Sequence, residues 1–188
     1  MVRFGTTTSK GTLVALAPAN GKWERGGKTL FIQDGRLSYD VGWEGMLEGK
    51  GRVNDGKEHL AALVGDNDGN VTLYLDGKKV ADADGLTSED KEGHTFKVGS
   101  TTEDFGGDFK DGSIEQVLFW KRSLSEKEIS TAAKKKIDEL NTPDFHWKKP
   151  GESAGKQLNL VETGTHSGYG TIVSVSYTHL TLPTRLSV

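Results

Sequence analysis

The 188 residues carry 24 Lys and Arg against 27 Asp and Glu, a net charge of −3 with the signs interspersed, which excludes a dedicated nucleic-acid surface. The absence of cysteine excludes disulfides, zinc–thiolate sites and thiol nucleophiles, and no apolar run approaches the roughly 20 residues of a membrane span. Glycine is abundant (25) and proline scarce (4), which fits short strands joined by tight turns.

In chain order, Val2 to Gly5 and Thr12 to Ala17 read as strands with a Thr- and Ser-rich loop between them. A polar loop over 20–27 carries Trp23. Thr29–Gln33 and Arg36–Val41 flank Asp34-Gly35, a two-residue hairpin signal. Trp43–Val53 reads as a weaker, glycine-interrupted strand pair. His59–Val64 is nearly continuous in apolar residues, as a strand buried on both faces would be. After the loop Asp66-Asn-Asp-Gly-Asn70, Val71, Leu73 and Leu75 alternate with Thr72 and Tyr74 and define one apolar face. Asp76-Gly77 is a second hairpin turn, with Lys78–Ala83 returning. Thr95–Gly99 is a strand, 101–112 a loop rich in Asp and Gly, and Ser113–Lys121 the most apolar strand.

A helix start follows. Ser125 is an N-cap with Glu128 three residues later, and Leu124 and Ile129 sit at the positions of a hydrophobic staple. The helix is expected to reach about Leu140, where Asn141-Thr-Pro143 stops it, with Lys134, Lys135 and Lys136 complementing its C-terminal dipole. Gly and polar residues dominate beyond Pro143, so 141–174 reads as a linker or the start of another domain.

Both ends carry an expectation. Val175-Ser-Tyr-Thr-His-Leu-Thr-Leu-Pro-Thr184 resembles a translated transposon-type sequencing adapter, so 175–188 is set aside from fold reasoning as read-through; the alternative is one more strand. Met1-Val-Arg-Phe4 begins abruptly in a strand without the regions of a signal peptide, so the chain reads as an N-terminally truncated fragment.

In order and spacing, four pieces resemble the laminin-G-like, concanavalin A-like family over about 1–140. They are Asp55-Gly-Lys-Glu-His59 with the strand after it, Leu73-Tyr-Leu-Asp-Gly77, Phe96-Lys-Val-Gly99, and Ile114 through the Leu-Ser-Glu helix start. The resemblance implies an all-β, two-sheet antiparallel jelly-roll sandwich with one C-terminal α-helix. It also implies first strands preceding Val2, whose loss would leave an open sheet edge. Lectins, adhesion modules and some glycosidases share this architecture, so function has to come from the site.

Glycoside hydrolysis needs two carboxylates across a sugar. The Glu-x-Asp-x-x-Glu string of glucanases with this architecture is absent, and Glu115 has no acidic partner two residues on. The Ser-x-Asp-x-Gly-x-Thr-Trp repeat of sialidases is absent too. None of the five His forms an HExxH pair, and His59 reads as a structural hydrogen-bonder. Calcium is the one cofactor left open: Asp66 and Asp68 in one loop, and Asp104, Asp108 and Asp111 in another, could supply oxygens. Turn chemistry explains the same residues, and Gly69 falls too early for an EF-hand. Trp23 and Trp43, in or beside glycine-rich segments, are the candidates for ligand binding, with core packing as the alternative. The leading expectation is a non-catalytic recognition or adhesion module for glycan or protein surfaces, within a larger secreted or cell-envelope protein. The alternatives are the accessory remnant of a glycoside hydrolase or other enzyme, and a structural spacer.

Overall fold

A computed structural model describes residues 1–134, 136–149 and 172–175. The strands are β1 (Val2–Thr6), β2 (Gly11–Pro18), β3 (Lys28–Gln33), β4 (Arg36–Val41), β5 (Gly45–Glu48), β6 (Glu58–Gly65), β7 (Val71–Leu75), β8 (Lys78–Ala83), β9 (His94–Val98), β10 (Gly112–Phe119), β11 (Phe145–Lys148) and β12 (Ile172–Val175). They form two six-stranded sheets, in the orders β11-β10-β1-β6-β7-β8 and β12-β9-β2-β3-β4-β5. Pairing is antiparallel except between β12 and β9. This is the expected two-sheet antiparallel sandwich with one short helix.

The hairpins form where the local sequence dictates. Asp34 and Gly35, and again Asp76 and Gly77, sit at positive φ (50°, 75°, 51° and 81°), the pattern of the turn whose twist matches its flanking strands. Alternation then sends Phe4, Leu30, Ile32, Leu37, Leu73 and Val98 into the space between the sheets, where all are buried. β6 is buried on both faces as expected. Ala61 faces the inter-sheet core, while Ala62 joins Tyr74, Leu118, Trp120, Leu124 and Ile129 beneath the helix α1 (Glu126–Ala133).

Four differences from the sequence reading have physical causes. Only β5 forms within 43–53, because glycines at 45, 49 and 51 break the expected pair. The helix ends at Ala133, and a 3-10 turn over Ile137–Glu139 follows. Continuing it would have placed Asp138 and Glu139 at its negative end. Phe145–Lys148, inside the stretch read as linker, forms β11 against β10, with Trp147 buried opposite Val117. No open edge lies beside β1, which sits between β6 and β10. Residues 176–188 of the adapter-like segment lie outside the described residues, and Val175 closes β12.

Candidate functional site

The second sheet turns an unusual face away from the core. Register places Lys97, Ala15, Thr29, Asp40 and Met46 in one row across five strands, with Thr12, Phe31 and Ser38 in the next. Most of this face is buried, although among the described residues no second layer of sheet covers it. Two loops do so instead. Trp23, from the β2–β3 loop, stacks on Phe105, from the β9–β10 loop, with centroids 4.5 Å apart and planes 11° from parallel. Phe105 in turn tilts onto Phe31 at 5.6 Å.

Polar bonds fix the same two loops to each other and to the sheet. The Trp23 backbone N–H donates to Asp104 Oδ1 at 2.7 Å, and this bond, with that from Thr102, holds the Asp104 carboxyl below the usual range. Trp23 also bonds through its side chain to Asp40, whose carboxyl burial pushes up. Glu24 Oε1 meets His94 Nε2 at 2.9 Å and Lys91 Nζ at 3.0 Å, and these partners lower its pKa.

Trp43 behaves differently. It occupies the β4–β5 turn at φ +65°, an outlier for a bulky residue, and stays 67% exposed. Met46, on the neighbouring edge strand, is 48% exposed, and these two are the exposed large hydrophobics among the described residues. Gly42 explains how the turn docks. A Cβ there would lie 2.3 Å from the Glu24 carbonyl and 3.3 Å from Trp23 Nε1, so only glycine lets the turn lie against the Trp23 loop. Arg25 and Glu44 pair beside it at 3.6 Å. Of the two tryptophans singled out in the sequence, Trp23 is therefore stacked against a neighbouring loop and Trp43 is exposed. Met46, Phe105 and Asp40 were missed. Only the register of β4 and β5 reveals that Met46 shares the face of Asp40.

The acidic candidates are not brought together. Asp66 accepts hydrogen bonds from the backbone N–H of Asp68 and of Asn70 and from the Asn70 amide, which lower its pKa and close its own turn. Asp68 and Asp108 are exposed. Asp111 stands at φ +52°, with its carbonyl accepting from Thr6 Oγ1 and the Thr7 N–H. Among the described residues no three His, Cys, Asp or Glu side chains form a group that could hold a metal ion. Glu115 pairs with Lys149 at 3.4 Å. His59 bridges Asp76 (2.8 Å) and Asp55 (3.1 Å), the structural role its position suggested. On the first sheet, a shallow cavity of about 700 Å³ is lined by Arg3, Gly5, Glu58, Gln116, His146 and Lys148, with Arg3 paired to Glu58.

No curated protein matches the chain. Among solved structures, domains LG4-5 of the mouse laminin alpha1 chain superpose with a TM-score of 0.51 at 14% identity, over 67% of this chain and 36% of that one. The chain thus aligns with little more than a third of that laminin fragment. An S-layer domain-containing protein from Clostridium thermocellum (residues 221-444) is 18% identical over 67% of this chain and 64% of that one, with a TM-score of 0.33. The model of the laminin G type described as the concanavalin A-like lectin/glucanases superfamily matches residues 3–130, which cover the helix start and all but two of the strands. With that match over more than half of its length, the chain belongs to the concanavalin A-like lectin/glucanase superfamily.

Proposed function

We propose that the chain is a non-catalytic recognition module of a larger secreted or cell-envelope protein, and that it engages a glycan or protein surface through Trp43. The observation that carries this reading is an exposed tryptophan held in left-handed backbone geometry. Both features are unfavourable for the isolated domain, and residues kept under strain cluster where a chain meets its ligands. A large, rigid aromatic with Met46 beside it and the Arg25–Glu44 pair at its margin matches an apolar anchor with a polar rim. The secreted or envelope setting rests on the family.

The test compares wild type with Trp43→Ala on a glycan array and against surface-exposed proteins of the source cell. Loss of the wild-type signal in the variant, with an unchanged melting temperature, supports the reading. A ligand that binds both chains equally removes Trp43 from it.

A further inference from the structure

The turn that carries Trp43 has its glycine one place too early for its own backbone. The Glu44 N–H donates to the Val41 carbonyl at 2.8 Å, closing a turn whose central residues are Gly42 and Trp43. Positive φ falls on Trp43 (65°) and not on Gly42. A turn with positive φ at its third residue ordinarily places glycine there, where a Cβ is costly. Here the glycine stands at the second residue, and the tryptophan takes the left-handed position.

The reason lies in the β2–β3 loop. Gly42 makes two backbone bonds with it: the Gly42 N–H donates to the Gly27 carbonyl at 2.8 Å, and the Gly42 carbonyl accepts from the Gly26 N–H at 3.4 Å. A Cβ on Gly42 would collide with the Glu24 carbonyl and stand 3.3 Å from Trp23 Nε1. The Trp23 ring also lies against Gly27, where a Cβ would be 2.8 Å from it, and bonds to Asp40, two residues before Gly42. The strained turn is thus seated on the Trp23 loop. Strained backbone persists only where its surroundings over-determine it, and this seat is the surrounding that does so. The seat is held in turn from the β9–β10 loop, by the Phe105 ring stacked on Trp23 and by Asp104 accepting from the Trp23 N–H. Among the described residues no hydrogen bond or ring contact joins Phe105 or Asp104 to Trp43.

We propose that Phe105 and Asp104 are positioning residues for Trp43. They fix the Trp23 loop where it keeps the Trp43 turn in its left-handed form, so the three loops present the exposed ring as one unit. Released from the seat, Trp43 leaves positive φ, because the turn's own sequence disfavours it. The bearing of this on binding rests on Trp43 as the contact residue; the positioning itself does not.

The test is fluorine NMR of the full 188-residue chain labelled with 5-fluorotryptophan, with no ligand added. The chain has four tryptophans, and the resonance that Trp43→Phe removes is that of Trp43. In Phe105→Ala the Trp43 resonance shifts or broadens, while Trp120 and Trp147, packed on the first sheet, stay in place. The Gly42 amide exchanges with solvent about tenfold faster, the factor expected when an aromatic pair of ordinary worth is lost. Phe105→Tyr, which keeps a ring to stack, restores both readouts. Asp104→Ala moves Trp43 in the same way through the Trp23 N–H. Ser125→Ala, which removes the helix cap on the first sheet's side, leaves Trp43 unmoved. An unchanged Trp43 resonance in both Phe105→Ala and Asp104→Ala overturns the proposal. So does an equal response to Ser125→Ala, which would mean general loosening rather than positioning. Either failure leaves Trp43 standing as the contact residue, whereas equal ligand binding by wild type and Trp43→Ala removes the contact reading and leaves the positioning intact.

Discussion

Trp43 stands at φ +65°, where a side chain with a Cβ is disfavoured by roughly 1–2 kcal/mol. Trp43→Gly relieves that strain while removing the exposed ring. We expect urea unfolding to show the variant about 1 kcal/mol more stable, the Gly side giving back part of the gain through backbone entropy. Gained stability with lost binding is the signature of a residue kept for contact, and a loss of stability would assign it to packing. The sequence marked both tryptophans because aromatics beside glycines are unusual in loops. It could not say which one points outward. That outcome depends on Phe105, some 80 residues from Trp23, supplying a stacking partner to one and none to the other.

The helix start shows what local sequence can specify. Ser125 Oγ accepts from the Glu128 N–H, and the Glu128 carboxylate accepts from the Ser125 N–H, the reciprocal box read from the spacing alone. Ser125→Ala should lower stability by about 1 kcal/mol in denaturant unfolding. Arg122 and the Ser125 backbone hold Glu128 at a pKa of about 2, against an ordinary 4.5. A carboxyl with a folded pKa below its unfolded one stabilises the fold above the unfolded value and loses that contribution as pH falls through the folded one. Melting temperatures measured from pH 5 to pH 2 should therefore fall, and Glu128→Gln should flatten the fall; Asp55, held at about 2 by Lys57 and His59, adds a further acid-sensitive contribution over the same range. The far end of the helix and β11 were illegible for the opposite reason. Phe145 and Trp147 alternate with His146 and Lys148 over only four residues, after a proline and before lysines. The partner edge of β10, not local propensity, makes them a strand.

At the scale of the molecule, the sandwich was legible because hairpin turns and alternating faces are written in short windows. The buried outer face of the second sheet was not, because loops cover it. Asp66 is engaged in closing its own turn and Asp104 in holding the Trp23 N–H, so melting curves in calcium and in chelator should coincide. A shift upward in calcium would show that carbonyls and carboxylates gather around the ion despite their separation. The position of β1 carries a consequence in time. Its neighbours are β6, whose paired residues lie more than 50 positions away, and β10, more than 100 away. β1 can pair with β6 early, but its other edge waits for β10, so the nascent chain holds Val2 and Phe4 without their β10 partners until Val117 has left the ribosome. Dominance by such distant pairings puts refolding in the slow range of two-state proteins, on the order of milliseconds to seconds.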